Sequence, residues 1–297
     1  MRANSGILIL SLALAVCVAG CTPKKGDLSP DNPLSPPRIA PNSMDLDVFF
    51  ITLPEQTAET TFASVWRDAD AQQITPEIRQ RQLANGLRAA VLGWRLPPEI
   101  QHLIEERSQP LTGGHAQTAE TSLPGNIMAP ADLEKMERIS IRRVPLPPSK
   151  RTEIVVSREF DSFPLLLVED GQVSGGAKEN AQGVLGLRAK PVAGGKVKLE
   201  IDPELQYGQS EQKYNNSITG VWKLTHSKQK VSLEMLAFSC ELSPGEFVAI
   251  GSASGRPGSI GDRFFEDNSM PEPRRKLLLI RLARSPGSEL FGGLNKD

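Results

Sequence analysis

Two carboxylates two residues apart are the first feature that could do chemistry. Asp45 and Asp47 alternate with Met44, Leu46 and Val48, so an extended chain places both on one face. Neighbouring carboxylates can share a proton, one acting as acid while the other stays ionised. The plainer reading is a solvated strand face. His102, His115 and His226 are too far apart for metal-ligand spacing. His102 lies beside Ile100 and Leu103 on a helical pattern, His115 in a Gly-rich stretch and His226 in a turn, so all three read as structural or solvated. Gly251, Gly255, Gly258 and Gly261 invite comparison with a phosphate-cradling loop, but no Gly-Lys-Thr or Gly-Lys-Ser follows them. That stretch reads as a flexible loop. Arg142-Arg143 and Arg274-Arg275-Lys276 suit either lipid headgroups or the protection of strand edges. Phe49-Phe50 and Phe264-Phe265 read as core or interface aromatics, and Asn215-Asn216-Ser217 as a turn. No catalytic, metal or cofactor constellation emerges, so none is expected.

The elements that must position these residues change character along the chain. Met44 to Phe50 alternates with period 2 and predicts a strand. Glu55 to Arg67 predicts a helix with Phe62, Val65 and Trp66 on one face. Thr75-Pro76-Glu77 predicts a helix start and Asn85-Gly86 its end. Leu87 to Trp94 reads as a buried strand, and Pro97-Pro98-Glu99 opens a helix with Ile100, Leu103 and Ile104 inward. From Ile139 onward only strands are expected. Asp170-Gly171 and Ala193-Gly194-Gly195 mark hairpin turns. Lys198, Glu200 and Asp202 alternate with Val197, Leu199 and Ile201, which predicts one wet face. The expected class is α+β, with a small α/β unit at 44–106, a linker at 107–138, an antiparallel β domain at 139–284 and a tail at 285–297. The clearest strands, Lys196 to Asp202 and Leu277 to Arg284, span seven or eight residues. A membrane barrel strand needs about 9–11, so no transmembrane pore is expected.

Composition narrows the class of partner. Lys and Arg total 34 against 35 for Asp and Glu, a formal charge of −1, which excludes a basic footprint for nucleic acid. Hydrophobic residues at 39% fit a soluble globular chain. The N-terminus differs. Arg2 is followed by an apolar run from Ile7 to Ala19, too short to span a bilayer but suited to a secretory signal. It ends in Val18-Ala19-Gly20-Cys21, small residues before a cysteine. This run resembles the lipobox of bacterial lipoproteins. The resemblance implies cleavage between Gly20 and Cys21 and lipidation of Cys21. Residues 1–20 are then a signal peptide, and the Pro-rich segment 21–43 a semi-rigid tether. Thr22, rather than Asp, resembles the sorting pattern of outer-membrane lipoproteins, so the outer membrane is favoured over the inner. Cys17 leaves with the signal, and Cys240 then has no intramolecular partner and is expected buried.

The β half carries a second likeness. Gly186-Leu-Arg-Ala-Lys-Pro191 and Gly195-Lys-Val-Lys-Leu-Glu-Ile-Asp-Pro-Glu204-Leu205 are paired strands ending in proline and an acidic residue. Leu242-Ser-Pro-Gly-Glu-Phe-Val-Ala-Ile-Gly251 is a turn-glycine strand, Gly258-Ser-Ile-Gly261-Asp-Arg-Phe264-Phe265 a Gly-rich segment and Leu277-Leu-Leu-Ile-Arg-Leu282 a closing strand. In this order, over about 180–284, they resemble the C-terminal core domain of bacterial secretins. Ser252 stands where that family usually has a second glycine. The resemblance implies a shared β-fold rather than a channel. The whole chain is also similar to uncharacterised exported lipoproteins of planctomycete-type bacteria. The expected protein is therefore an envelope lipoprotein facing the periplasm, held to the bilayer by its lipid. Its expected role is non-enzymatic: binding envelope proteins or assembling with itself, linked to a secretin-like system. The rival is an envelope hydrolase using Asp45, Asp47 or His226.

Overall fold

Apolar residues occupy both faces of the first strand, β1 (Met44–Pro54), so it can only be a central strand. Met44, Leu46 and Val48 enter one core cluster, and Phe49, Ile51 and Leu53 another. In this computed structural model the description covers residues 43–108, 138–216, 222–267 and 271–286, with side chains omitted for Ser108 and 211–227. Gly20, Cys21, nearly all of the tether, His115, most of the 107–138 segment and the tail beyond 286 lie outside it.

The helices follow the sequence reading closely. The first, α1 (Glu55–Asp68), buries Ala58, Phe62 and Val65. The second, α2 (Pro76–Ala84), starts on a proline, although Thr75 makes no side-chain capping bond. After Asn85-Gly86 comes β2 (Leu87–Leu92), then α3 (Pro98–Ser108) with Ile100 buried. The remaining strands are β3 (Ile139–Leu146), β4 (Thr152–Glu169), β5 (Gln172–Pro191), β6 (Val197–Asn216), β7 (Trp222–Ser232), β8 (Phe238–Leu242), β9 (Phe247–Ser252), β10 (Glu266–Asp267) and β11 (Arg274–Arg284).

These strands form two antiparallel sheets. The first has the order β2-β9-β11-β1-β3, with β10 paired to β11; the second is β4-β5-β6-β7, with β8 paired to β6. One core lies between the sheets, joining Leu46, Val248, Ile250 and Ile280 of the first to Leu185, Ile201 and Cys240 of the second. The opposite face of the first sheet packs on α1 and α3 through Phe62, Val65 and Ile100. The molecule is therefore layered as helices, sheet, core and sheet.

Three expectations need correction. The boundary near residues 107–138 does not separate two folding units. β1 pairs with β11 along Asp45–Pro54 and with β3 along Met44–Ile51, and β2 pairs with β9. Residues 40–297 form one unit. Local periodicity shows that β1 is a strand, but not that its partners lie about 90 and 230 residues away. Second, the strands of the second sheet are not seven or eight residues long: β4 has 18 residues, and β5 and β6 have 20 each. They continue through Gly, Asn and Ser positions that read as interruptions, because hairpin pairing carries the backbone across them. The strand-length argument against a pore therefore fails. Third, the Gly251–Gly261 stretch leads into a short helix, α4 (Ile260–Phe265), rather than remaining a loop. The turns were legible: Asp170 and Gly171 have φ of 49° and 80°, the left-handed pair of a tight hairpin turn.

Candidate functional site

Asp45 and Asp47 are 6% and 5% exposed, not the wet face expected. They sit on the helix-side face of β1, where register fixes what opposes them. Asp47 lies opposite Arg281 of β11 on one side and Arg143 of β3 on the other. Arg281 Nε donates to Asp47 Oδ2 at 3.2 Å, and Arg143 Nε to Asp47 Oδ1 at 3.1 Å. Arg284 Nε lies 3.1 Å from Asp45 Oδ2. The Arg281 guanidinium also lies over the rings of Phe49 and Phe247, at 5.8 and 5.9 Å.

This arrangement decides the chemistry of the carboxylates. Burial alone pushes the Asp47 carboxyl up, but the hydrogen bonds and charges of Arg281 and Arg143 outweigh it and hold the group below its usual range. Asp47 is a fixed anion that ties three strands together. It is not the proton-sharing member of an acid–base pair, which needs a raised pKa.

The other candidates stand apart. His226 is in β7 of the second sheet, opposite Gln212, whereas Asp45 and Asp47 are in the first sheet. His102 is exposed on α3, 3.5 Å from Glu106. Cys240 is buried on β8 as expected, and burial pushes its thiol up to about 12. A thiol so held is not nucleophilic near neutral pH. Among the described residues, no group of three or more His, Cys, Asp or Glu could hold a metal ion. No helix among them is long and apolar enough to cross a membrane.

The glycine-rich stretch is a structural wedge. Ser259 Oγ accepts from the Asp262 N–H at 3.3 Å, and Asp262 Oδ2 accepts from the Gly258 N–H at 2.6 Å, closing the start of α4. Phe264 and Phe265 are buried in the core between the sheets. A Cβ at Gly261 would lie 1.9 Å from the carbonyl oxygen of Gly86, so only glycine permits this approach to the start of β2.

Two clefts flank β2. One, of about 580 Å³, lies against α1 and is lined by Trp66, Arg88, Ser252, Ser254 and the Arg275–Glu55 pair. The other, of about 700 Å³, lies against α2 and is lined by Arg79, Arg88 and Arg256 with Leu83, Ala71 and Pro76. These arginines escaped the sequence reading because they are scattered over nearly 180 residues. Only Arg88, a lone cation inside the apolar run Leu87 to Leu92, carried a signal. No family model, no curated protein and no solved structure matches this chain.

Proposed function

We propose that this is a membrane-anchored envelope lipoprotein that acts by binding proteins or assembling with copies of itself, in association with a secretin-like outer-membrane system. The anchor is the lipid carried by Cys21 after cleavage behind Gly20. The observation that supports the binding role is the open second sheet. Among the described residues, its outermost strands, β4 and β7, each have one side without a strand partner. An 18-residue edge is long for a soluble protein and offers a row of backbone donors and acceptors. Its hairpin also displays apolar side chains: Val155, Leu166 and Val173 are half of the large hydrophobics exposed among the described residues. Leu166 and Val168 share one face of β4, and Val173 stands opposite Val168.

The natural protections of an edge are present only in part. Lys276 Nζ donates to the Val156 carbonyl at 3.2 Å, and Asn85 holds both backbone groups of Val168. The β4 positions between these clamps supply the pairing surface. Pairing of β4 with β7 of the next copy would be head-to-tail, and such contacts close into rings or run on as filaments. Among the described side chains, Glu159, Asp161 and Lys178 interrupt an apolar stripe on the β4–β5 part of this sheet, which favours a water-facing assembly.

The test has two arms. Full-length protein with Cys21 intact is expected to incorporate a fatty-acid analogue, and Cys21→Ala is expected not to. Light scattering on full-length protein in mild detergent is expected to show mass rising with concentration, and Val155→Lys with Leu166→Lys to reverse it. A monomer at every concentration that captures no envelope protein would overturn the assembly role without touching the anchor.

A further inference from the structure

Arginine guanidinium groups that line a cleft ordinarily face carboxylates, because a half-buried charge without a counter-charge is costly. The cleft between α2 and β2 departs from this. Three arginines line it, and no Asp or Glu does. Several other arginines of this protein do face carboxylates: Arg143 and Arg281 meet Asp47, Arg284 meets Asp45, Arg275 meets Glu55, and Arg151 meets Glu204 and Glu153. Among the described residues, no carboxylate lies within ion-pair distance of Arg79, Arg88 or Arg256.

The three come from different elements. Arg79 projects from α2, half-buried, with a buried Nε that has no hydrogen-bond partner. Arg88 comes from β2; it donates to the Trp66 carbonyl at 3.3 Å and its guanidinium lies 4.8 Å from the centre of the Trp66 ring. Burial disfavours the charge on Arg88, and among the described residues no carboxylate stands beside it to offset that cost. Arg256 reaches in from the turn before α4, and is itself exposed. Between them the cleft is apolar: Leu83 is 45% exposed, and Ala71, Pro76 and Ala84 complete the wall. At about 700 Å³ the space suits a small organic ligand.

We propose that this cleft binds a small amphiphilic anion, a carboxylate or phosphate group on a compact apolar body, with Arg79 and Arg256 meeting the oxyanion, Arg88 adding its charge from its seat against Trp66, and Leu83, Ala71 and Pro76 meeting the apolar part. The planar fork of arginine pairs with either oxyanion through two parallel hydrogen bonds, so the site selects charge and shape rather than one headgroup. The inference is independent of the assembly role, which rests on β4 and β7 in the other sheet.

The experiment is calorimetric titration of the full-length protein with four probes: 4-phenylbutyrate, phenyl phosphate, 4-phenylbutanol and inorganic phosphate. The two amphiphilic anions are expected to bind saturably, and whichever binds tighter identifies the preferred headgroup. The neutral alcohol and inorganic phosphate are each expected to bind at least tenfold more weakly. Arg256→Gln, an exposed position that the fold does not need, is expected to weaken anion binding at least fivefold, and Arg79→Gln likewise. Arg67→Gln, on the neighbouring cleft, is expected to leave it unchanged. Equal binding of the neutral probe, equal binding of inorganic phosphate, or wild-type affinity in Arg256→Gln would overturn the proposal. None of these outcomes alters self-association through β4.

Discussion

Replacing Gly183 with alanine tests whether α4 is wedged into the second sheet as tightly as its geometry states. Gly183 lies in β5 with an ordinary backbone angle, so alanine is conformationally acceptable there. Its N–H donates to Ser157 Oγ at 2.7 Å, which fixes the backbone at the β4 bulge. An added Cβ would stand 2.7, 2.8 and 2.9 Å from Cδ1, Cε1 and Cγ of Phe264. Carbon–carbon contacts are comfortable at about 3.5–4.0 Å, so the ring would have to move by most of an ångström. It has little room, since Phe264 is fully buried, with Phe163 edge-on at 6.2 Å and Phe160 behind that at 5.4 Å. Overpacking of this kind costs about 1–3 kcal/mol, against a gain of about 0.5–1 kcal/mol from replacing glycine within a strand. A net loss of about 1–2 kcal/mol is expected for Gly183→Ala. Phe264→Leu removes part of the obstacle and should cost about 1–3 kcal/mol alone through the space it leaves. The double variant should then be less destabilised than the sum by at least about 1 kcal/mol, because the new methyl enters the vacated space. The assay is urea unfolding followed by tryptophan fluorescence, with equal slopes required across the series. Additivity within about 0.5 kcal/mol would refute the steric argument.

Asn85 imitates a strand partner: its side chain donates to the Val168 carbonyl and accepts the Val168 N–H, at 2.9 and 2.8 Å. Asn85→Ala should therefore destabilise by about 1–3 kcal/mol and speed amide exchange first at the β4–β5 turn. Asp47 has a folded-state pKa below its unfolded value, so its stabilisation is present above the unfolded pKa, near 4, and is lost as pH falls through the lower folded value. Asp47→Asn should accordingly lower the melting temperature at pH 7 and flatten the acid limb below pH 4; an acid limb identical to wild type would contradict the assigned ion pairs. Cys240, buried and with its thiol raised to about 12, should resist a thiol reagent at pH 8 in native protein and react at once in denaturant.

How much the sequence disclosed depended on the range of the interaction concerned. Helices α1, α2 and α3 were legible within a few residues, because a helix is stabilised by its own 3.6-residue stripe and by end signals such as Pro76 and Asn85-Gly86. The Asp170-Gly171 turn and the alternation of β6 were legible for the same local reason. The small α/β unit was not real, because β1 takes its partners from β3 and β11, and no local pattern names a strand partner. The carboxylate pair was found but its environment was misjudged. Two aspartates on one strand face read as wet until Arg143, Arg281 and Arg284 are brought across from two other strands.

Charge on a sheet is matched across strands, so its chemical meaning belongs to the register rather than to the strand. On β1 the register supplies a cation for each aspartate, which converts an apparent acid–base pair into a tie joining β3, β1 and β11. β2 is different because it is the last strand of its sheet. Among the described residues, the Asp70–Val91 bridge is the backbone pairing beyond it, and α2 packs against it in place of a further strand's charges. Arg88 consequently meets a tryptophan ring and a carbonyl instead of a carboxylate, and Arg79 and Arg256 gather beside it with none either. An edge strand that ends a sheet leaves its cations for something outside the sheet to satisfy. Asp45 and Asp47 are tied to arginines across the sheet, and the proposed ligand site falls instead where arginines stand without carboxylates, at the cleft beside β2.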